Sequence, residues 1–284
     1  MSAPLSDLGR ARDEEGEVID VLRLGGGLVE ITVRLPHLAA TARPGEFAQL
    51  RAWEGVEPLL RRPFSVAWTE GELCSFVLEA VGVGTRLLVA LRPGDRLHAL
   101  GPLGNGFGLD PVPARALIVS GGLGCAPFPL LVRELCREGC AEVVVLSGAA
   151  TAGRLYPADR FRRGDAAVQV VEATDDGSRG HRGLVTELVP DHCGETSIVY
   201  ACGPNPMLAA LAATLRRLTR PPRRAEVSLE APMGCGFGTC LGCALPVVAE
   251  HGAAWALCCR QGPVMEASQV DWPGLLALPP AHVA

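Results

Sequence analysis

Short apolar or alternating runs, separated by turn residues, fill the chain from residue 18 to residue 110. Runs of this length bounded by Gly, Pro and Asp are typical of β-strands, and their even spacing favours a small antiparallel barrel. The segment GTRLLVAL (84–91) predicts one helix before the Pro93-Gly94-Asp95 turn. We therefore predict an N-terminal antiparallel β-barrel over residues 18–112. Its predicted strands are VIDVLRL, LVEITVRL, FAQLRAW, FSVAWT, LCSFVLEAV and RLHALGP.

From residue 114 the apolar runs alternate with segments of helical length. This alternation predicts a parallel α/β domain, assigned to residues 113–222. The segment TRPPRR (219–224) has the composition of a linker, and little periodicity follows it. We expect residues 223–284 to form a small C-terminal domain. The predicted strands of the α/β domain are ARALIV, AEVVVLSGA, AVQVVEAT and TSIVYACGP.

Composition narrows the classes of function. With 284 residues, 48% of them apolar, the chain is long enough for these domains. A net charge of −5 argues against a nucleic-acid-binding surface. Residues 1–17 are polar, lack the apolar core of a signal peptide and are expected to form a flexible tail. Without an apolar run long enough to span a membrane, a cytoplasmic location is expected, so the eleven cysteines favour metal binding or core packing over disulfides.

A glycine-rich turn follows the first strand of the α/β domain. The segment VSGGLGCAP places Gly121, Gly122 and Gly124 between a strand and a helix, where a phosphate could approach the backbone. Its spacing is not the dinucleotide pattern G-x-G-x-x-G, and such a turn alone is as often structural. The polar loops ACGPNPM (201–207) and TDDGSRGHRG (174–183) also follow strands. Three such loops at one sheet edge favour a cofactor site over ordinary surface loops.

The predicted barrel carries a second candidate site for a phosphate-containing cofactor. RRPFSVAW (61–68) opens a strand, and EAVGVGTRLL (79–88) places glycines at the start of a helix. The Arg62 guanidinium can neutralise a pyrophosphate, and the helix start can donate N–H groups to it. In isolation, two adjacent arginines are more often a solvated surface pair.

The segment MGCGFGTCLGC (233–243) has the chemistry of a metal centre. Its spacing, Cys235-x4-Cys240-x2-Cys243, is that of plant-type [2Fe–2S] ligation, which requires one distant cysteine, here Cys258 or Cys259. The intervening glycines let the backbone turn repeatedly around a small core. A zinc site would need C-x2-C pairs in both halves, and a redox dithiol would need a thioredoxin-like unit, so the iron–sulfur interpretation is preferred.

The order of these motifs resembles the ferredoxin–NADP reductase superfamily. R-P-x-S, G-x-G-T, GPLGNGF (101–107), G-G-x-G-x-A-P and C-G-P follow one another as they do in that superfamily. The resemblance implies FAD in the barrel and NAD(P) in the α/β domain, with the C-G-P cysteine close to the nicotinamide. The implied FAD residues are Arg62, Pro63, Phe64, Ser65, Gly82, Gly84 and Thr85, and the implied NAD(P) residues are Gly121, Gly122, Gly124, Asp176 and Cys202.

The tail motifs carry a narrower resemblance. EAPMGCGFGTCLGC (230–243) and CRQGPVM (259–265) resemble the electron-transfer subunit of type B dihydroorotate dehydrogenase, which implies Cys259 as the fourth ligand. Met265 stands where that family usually has Phe. The resemblance implies a hetero-oligomer with an FMN-containing dihydroorotate dehydrogenase catalytic subunit. Electrons from dihydroorotate would pass through a [2Fe–2S] cluster and FAD to NAD+, in pyrimidine biosynthesis.

Two other functions stay open at this stage. A diaphorase subunit of a hydrogenase, sulfite reductase or ferredoxin:NADP oxidoreductase complex would share the same domains. A binding module stapled by zinc, with a degenerate barrel, would explain the cysteines without electron transfer. The preference between NADH and NADPH is also open, with Arg179 and Arg182 as candidate contacts of a 2′-phosphate.

Overall fold

The structure is a computed structural model that describes residues 9–163, 167–195, 197–249 and 252–279. These residues form two seven-stranded sheets and one two-stranded hairpin. Among the described residues, no helix has the length and apolar character needed to span a bilayer. The predicted combination of an antiparallel barrel, a parallel α/β domain and a small cysteine-rich region is confirmed.

The first sheet is antiparallel throughout, with strand order β4-β3-β7-β1-β2-β6-β5. Alternate apolar side chains point into the barrel and form its core, as the sequence pattern predicts. Strand β4, which carries R-P-F-S, lies at an edge of this sheet. The elements are β1 Arg12–Gly25, β2 Leu28–Arg34, α1 Pro36–Thr41, β3 Phe47–Arg51, β4 Arg62–Ser65, β5 Trp68–Glu70, β6 Leu73–Glu79, α2 Val83–Val89 and β7 Arg96–Leu103.

The first strand begins earlier than predicted, inside the segment expected to be a flexible tail. Strand β1 starts at Arg12 and pairs with β7. The Glu14 carboxylate accepts N–H bonds from His37 at 2.9 Å and Leu38 at 2.8 Å. Asp13 forms an ion pair with Arg61 at 2.6 Å. Specific partners elsewhere in the chain therefore order these charged residues, which polarity alone could not predict. Residues 1–8 lie outside the described residues.

The second sheet has the order β11-β10-β9-β8-β12-β13-β16, parallel except for the antiparallel pairing of β16. The chain leaves β8 for β9 on one side, while β12 lies on the other side of β8. Ligands of open α/β sheets bind at such a switch point. The elements are β8 Arg115–Gly121, α3 Phe128–Arg137, β9 Glu142–Ala149, α4 Ala158–Arg162, β10 Val168–Thr174, β11 His181–Arg182, α5 Val189–His192, β12 Ser197–Cys202 and α6 Asn205–Arg217.

The C-terminal segment is built into this sheet. Strand β13 (Arg224–Ser228) pairs with β12, and β16 (Val264–Glu266) pairs with β13. The segment predicted to be a linker therefore ends inside a strand. The Pro-Pro pair before β13 has the composition of a turn, which is why a linker was predicted. The residues that follow it nevertheless add a strand to the sheet. The remaining elements are β14 Ala244–Ala249, β15 Gly252–Leu257, α7 Cys258–Gln261 and α8 Trp272–Leu276.

Candidate functional site

The four cysteines predicted as ligands are arranged as two pairs. The Sγ atoms of Cys243 and Cys259 lie 3.2 Å apart. In the other pair, the Cys240 N–H donates to Cys235 Sγ at 3.5 Å. A [2Fe–2S] cluster takes four cysteine thiolates, two on each iron, so two thiol pairs provide the required donor set. The ligand assignment itself stays a prediction.

The adjacent cysteines Cys258 and Cys259 have different surroundings. Cys258 Sγ points to the carbonyl oxygen of Leu229 at 3.6 Å, within the apolar core. Burial raises the pKa of the Cys258 thiol, which favours its neutral form. Cys259 instead turns its sulfur toward Cys243. The geometry thus supports Cys259 as the fourth ligand and gives Cys258 a packing role.

Hydrogen bonds favour the thiolate form at two of the predicted ligands. The bond between the Cys243 and Cys259 thiols lowers the pKa of Cys243 to about 6 and raises the pKa of Cys259, so one proton is shared within this pair. Burial acts to raise the pKa of Cys235, but backbone N–H groups, including those of Cys240 and Phe237, outweigh it and lower that pKa to about 7. Since thiolates rather than thiols bind metals, the loop is chemically suited to hold an iron–sulfur cluster.

The arrangement does not suit a single metal ion. Across the described ranges, no three His, Cys, Asp or Glu side chains are close enough together to hold one ion. Structural zinc requires four ligands around one point. The two thiol pairs supply two cysteines for each iron of a two-iron core.

Two glycines let the cysteine loop close against its neighbours. Gly236 and Gly238 have φ values of +83° and +88°, which other residues rarely adopt. A Cβ at Gly238 would lie 2.5 Å from Cγ of Arg260, next to Cys259. A Cβ at Gly236 would lie 2.7 Å from Cγ of Gln49 in the barrel. The loop is consequently packed between α7 and the barrel.

The segment GPLGNGF connects the barrel to the fourth cysteine. The backbone N–H of Asn105 donates to the Gly262 carbonyl at 2.6 Å, and its side-chain amide donates to the Gln261 carbonyl at 3.0 Å. A Cβ at Gly104 would lie 2.6 Å from Pro263 Cδ. Sequence reasoning gave this segment no role of its own, although its repeated glycines were the available signal of a close approach.

The predicted FAD residues at the start of β4 and α2 lie against each other. The Arg62 guanidinium covers Gly84, where a Cβ would lie 2.8 Å from its Nε. Thr85 Oγ1 accepts N–H bonds from Val81 and Gly82, both at 2.9 Å, and thereby fixes the turn. Nothing lies within 4 Å of a Cβ at Gly82. An arginine beside an open helix start is suited to a pyrophosphate.

The other predicted FAD residues on β4 differ in how far they are buried. Pro63 and Ser65 are half-buried, whereas Phe64 packs into the barrel core. Exposed apolar side chains lie in the loop before β4 and around the start of α2. An exposed apolar surface beside a cationic group fits a ligand that has both an aromatic ring system and phosphates. These exposed side chains are Val56, Leu59, Leu60, Val81 and Val83.

The predicted nucleotide glycines divide into packed and open positions. At Gly124 a Cβ would lie 2.2 Å from the Cys202 carbonyl oxygen, and at Gly121 it would lie 2.4 Å from Met207 Sδ. At Gly122, with a φ of +55°, nothing lies within 4 Å. Gly121 and Gly124 are therefore needed for packing at the switch point, and Gly122 leaves its backbone open to a ligand.

The C-G-P-N turn connects the nucleotide side to the cysteine loop. Cys202 ends β12 opposite Ser120 of β8, and burial raises the pKa of its thiol to about 12. Next along the chain, the Asn205 side-chain amide donates to the Glu230 carbonyl at 3.2 Å and accepts its N–H at 3.4 Å. Cys202 therefore lies at the switch point as a neutral thiol.

Asp176, the weakest of the predicted nucleotide contacts, follows β10 at the same edge of the sheet. Its carboxylate accepts bonds from the Ser178 hydroxyl at 2.6 Å and N–H at 2.9 Å, which lower its pKa. Arg179 is paired with Glu172 at 2.8 Å. The exposed Arg179 guanidinium thus already has a carboxylate partner, with which a 2′-phosphate would compete.

Two family models match separate parts of the chain. The iron-sulfur cluster binding domain of dihydroorotate dehydrogenase B matches residues 230–271, which include the two thiol pairs. The oxidoreductase NAD-binding domain matches residues 118–213, which include the switch point. The matched regions thus contain the cysteine loop and the switch point of the α/β sheet.

A solved structure of an NADH-dependent reduced ferredoxin-NADP oxidoreductase has a TM-score of 0.79 and 26% identity, covering 92% of this chain and 91% of that one. A ferredoxin NADP+ reductase from Neisseria gonorrhoeae shares the fold, with a TM-score of 0.62 and 20% identity over 74% and 92% of the two chains.

Curated relatives match across nearly the whole chain. The dihydroorotate dehydrogenase B (NAD(+)) electron transfer subunit of Geobacillus thermodenitrificans is 38% identical over 85% of this chain and 91% of the relative. The corresponding subunit of Caldanaerobacter subterraneus is 37% identical over 90% and 97%. The chain therefore belongs to the family of electron transfer subunits of NAD+-dependent dihydroorotate dehydrogenase B.

Proposed function

We propose that this subunit holds FAD and a [2Fe–2S] cluster, and that it passes electrons from an FMN-containing catalytic partner, which oxidises dihydroorotate, to NAD+. The observation that carries the proposal is the arrangement of two thiol pairs in a loop whose Gly236 contacts Gln49 of the barrel. Flavin exchanges electrons singly with iron–sulfur centres and in pairs with nicotinamide, so the chemistry belongs to the cofactors and the protein supplies their positions.

The cysteine segment would supply the metal ligands and limit the access of water. Cys235, Cys240, Cys243 and Cys259 are the proposed ligands, and Cys243 and Cys259 are buried while Cys240 is exposed. The exposed side of the loop also presents Leu241, 63% exposed, and the adjacent hairpin presents Trp255, 65% exposed. Since single electrons from the partner must enter the cluster through an accessible edge, we place the catalytic partner on this face.

The barrel and the α/β domain would bind the flavin and the dinucleotide. Arg62 and the start of α2 would neutralise and hold the FAD pyrophosphate, with Pro63, Phe64 and Ser65 along the same strand. Gly122 would let the NAD+ pyrophosphate approach the backbone at the switch point. The neutral Cys202 thiol offers the nicotinamide an uncharged contact. We assign the abstraction of protons from dihydroorotate to the partner.

Co-purification with a dihydroorotate dehydrogenase catalytic subunit tests the proposal. The complex should contain FAD, iron and sulfide, and should form orotate with NAD+ as acceptor. The chain alone should oxidise NADH with an artificial acceptor without forming orotate. Failure to bind that catalytic subunit would contradict the partner assignment, and a colourless chain with zinc and no iron would contradict the cofactor assignment.

The Cys240→Ser variant separates the two cofactors. It should lose the cluster while FAD remains bound and reducible by NADH, because none of the residues proposed to hold FAD or NAD+ belongs to the cysteine loop. Loss of flavin reduction with the cluster retained would show that the sites have been assigned to the wrong segments. The exposed Thr239→Ser variant, next to Cys240, should keep both cofactors and serves as the control.

The structural likeness to a ferredoxin-NADP oxidoreductase keeps a diaphorase subunit as the second candidate. Such a subunit would reduce ferredoxin with NAD(P)H and would not respond to a dihydroorotate dehydrogenase catalytic subunit. Measuring both reactions with the same preparation distinguishes the two candidates.

A further inference from the structure

Gln49 is a buried polar residue on the surface of the barrel that faces the cysteine segment. On β3 it lies opposite Pro63 of the predicted flavin strand and opposite Leu100 of β7. Residues opposite each other, and residues two apart in one strand, share a face of the sheet. Phe47 is two residues away, and it packs into the same apolar cluster as Cys243. Gln49 therefore lies on the face directed at the cysteines.

The Gln49 carboxamide has no partner among the described residues. The side chain is 0% exposed, and neither Nε2 nor Oε1 makes a hydrogen bond there. Buried amides are normally hydrogen-bonded, because leaving both atoms unpaired forfeits their interactions with water. An amide in this state indicates that its hydrogen-bond partner is a group present only in the cofactor-loaded protein.

The neighbouring backbone indicates which partner this is. Both Cγ and Nε2 of Gln49 lie 2.7 Å from the position that a Cβ of Gly236 would take. Gly236 is buried and directly follows Cys235, one of the proposed ligands. The carboxamide thus touches the loop that would surround the cluster, with only a glycine at the point of contact.

We infer that Gln49 is a positioning residue of the iron–sulfur site, whose Nε2 amide donates a hydrogen bond to an anionic sulfur on the Cys235 side of the cluster. The inference rests on the proposed function, because it requires the cluster. A donor to a cluster sulfur stabilises the added negative charge of the reduced state and raises the reduction potential. The barrel, not only the cysteine loop, would therefore set the potential of the cluster.

The test uses the cofactor-loaded protein and the Gln49→Leu and Gln49→Met variants. Both replace the amide with an apolar side chain of similar size. The expected results are a lower cluster midpoint potential and altered g values of the reduced cluster in electron paramagnetic resonance. Iron and FAD content and the rate of flavin reduction by NADH should be unchanged. Gln169→Leu, an exposed change on β10, is the control and should alter none of these.

Each other outcome overturns the inference. A wild-type potential and spectrum in both variants would show that the amide makes no bond to the cluster. A shift of the flavin potential alone would show that its partner is the flavin. Loss of iron from both variants in a folded, FAD-containing protein would show that Gln49 only supports the loop. The proposed function fails separately, when the wild-type protein contains no iron and sulfide before any variant is compared.

Discussion

The α/β domain meets the barrel and the cysteine segment through contacts of different kinds. Toward the barrel, apolar packing is accompanied by a charged group. The Glu30 carboxylate, only 5% exposed, pairs with Arg160 at 3.2 Å and Arg163 at 3.3 Å. The guanidinium groups of Arg133 and Arg163 both contact the Trp68 ring, at 4.6 Å and 4.4 Å from its centre. The interface between the barrel and the α/β domain therefore includes ion pairs and cation–π contacts, whose strength depends on charge and on the orientation of the groups.

Toward the cysteine segment, the contact is an unbroken apolar core and a shared sheet. Strands β13 and β16 extend the α/β sheet, and residues from both sides form one buried cluster. Val227 on β13 and Trp272 on α8 are buried in that cluster with the two cysteines Cys258 and Cys259. The cysteine segment thus continues the α/β sheet, whereas the barrel has a sheet of its own, contributes Phe47 and Leu103 to the shared cluster and is held to the α/β domain partly by ion pairs.

The two interfaces should respond differently to substitution. Shared strands fix the cysteine segment to the dinucleotide site. Ion pairs and cation–π contacts, by contrast, orient the barrel in one direction and lose strength when one partner is removed. We expect changes at the two interfaces to have separable effects on stability and cofactor content.

The largest expected effect follows from removing the fourth proposed ligand. Cys259→Ser should lose essentially all iron while the α/β sheet stays folded, because β13 and β16 are held by apolar packing and not by metal. Iron analysis together with circular dichroism checks this. Cys258→Ser is the matched control and should keep its iron. Unfolding of the whole C-terminal segment on iron loss would show that metal, not the apolar core, holds it.

Removal of an apolar anchor should cost the most folding free energy. Trp272 is 6% exposed, and Trp272→Ala should lower the free energy of unfolding by about 3–5 kcal/mol in urea titration. The α/β domain should be destabilised together with the cysteine segment, since they share one core. Trp255→Ala, at an exposed position, should change stability by roughly 0.5 kcal/mol or less. A Trp272→Ala protein with an unaltered main transition would make the segment an independent unit.

A smaller loss is expected at the charged interface. Glu30→Gln should lower the free energy of unfolding by about 2 kcal/mol, because two partly buried guanidinium groups lose their counter-ion. Glu72→Gln removes the exposed ion pair with Arg34 on the same barrel and should cost about 0.5 kcal/mol or less. Equal losses in the two variants, measured by the same titration, would show that Glu30 does not connect the two domains.

The smallest effect concerns a thiol at the dinucleotide site. Burial raises the pKa of Cys202 to about 12, so its thiol stays protonated at neutral pH and becomes a thiolate only as the pH rises toward that value. Alkylation of Cys202, followed by mass spectrometry of the folded protein, should be negligible at pH 8. Rapid modification there, without unfolding, would indicate a thiolate and a charged contact for the nicotinamide.

Local sequence patterns predicted the strands, helices and loops whose formation depends mainly on residues that are neighbours in the sequence. Most of the barrel and α/β strands and helix α2 follow from periodicity and turn residues. The spacing of Cys235, Cys240 and Cys243 predicted the cysteine loop, whereas Cys259 was predicted from the family resemblance. The start of β1 at Arg12 was not predictable, because its charged residues are ordered by distant groups such as Arg61. Likewise, β13 follows a segment with linker composition, and its pairing with β12 and β16 shows only in the fold.

The contacts made by Gln49 and Asn105 were also beyond sequence reasoning. Each is a single amide in an apolar or glycine-rich stretch, and only the fold shows that both meet the cysteine segment. The glycines of GPLGNGF and of the cysteine loop signal close approach, but not which side chain approaches. Long-range partners of this kind carry no periodicity that a pattern could detect.

The pairing of β16 with β13 limits how this segment could be exchanged in evolution or in the laboratory. Val264 and Met265 follow Cys259 by only a few residues and form the edge strand of the α/β sheet. A donor domain grafted in place of the cysteine segment would need to supply both strands in the same register. Without them the sheet would be left with an unprotected edge at β12, a site at which other chains can add and aggregate.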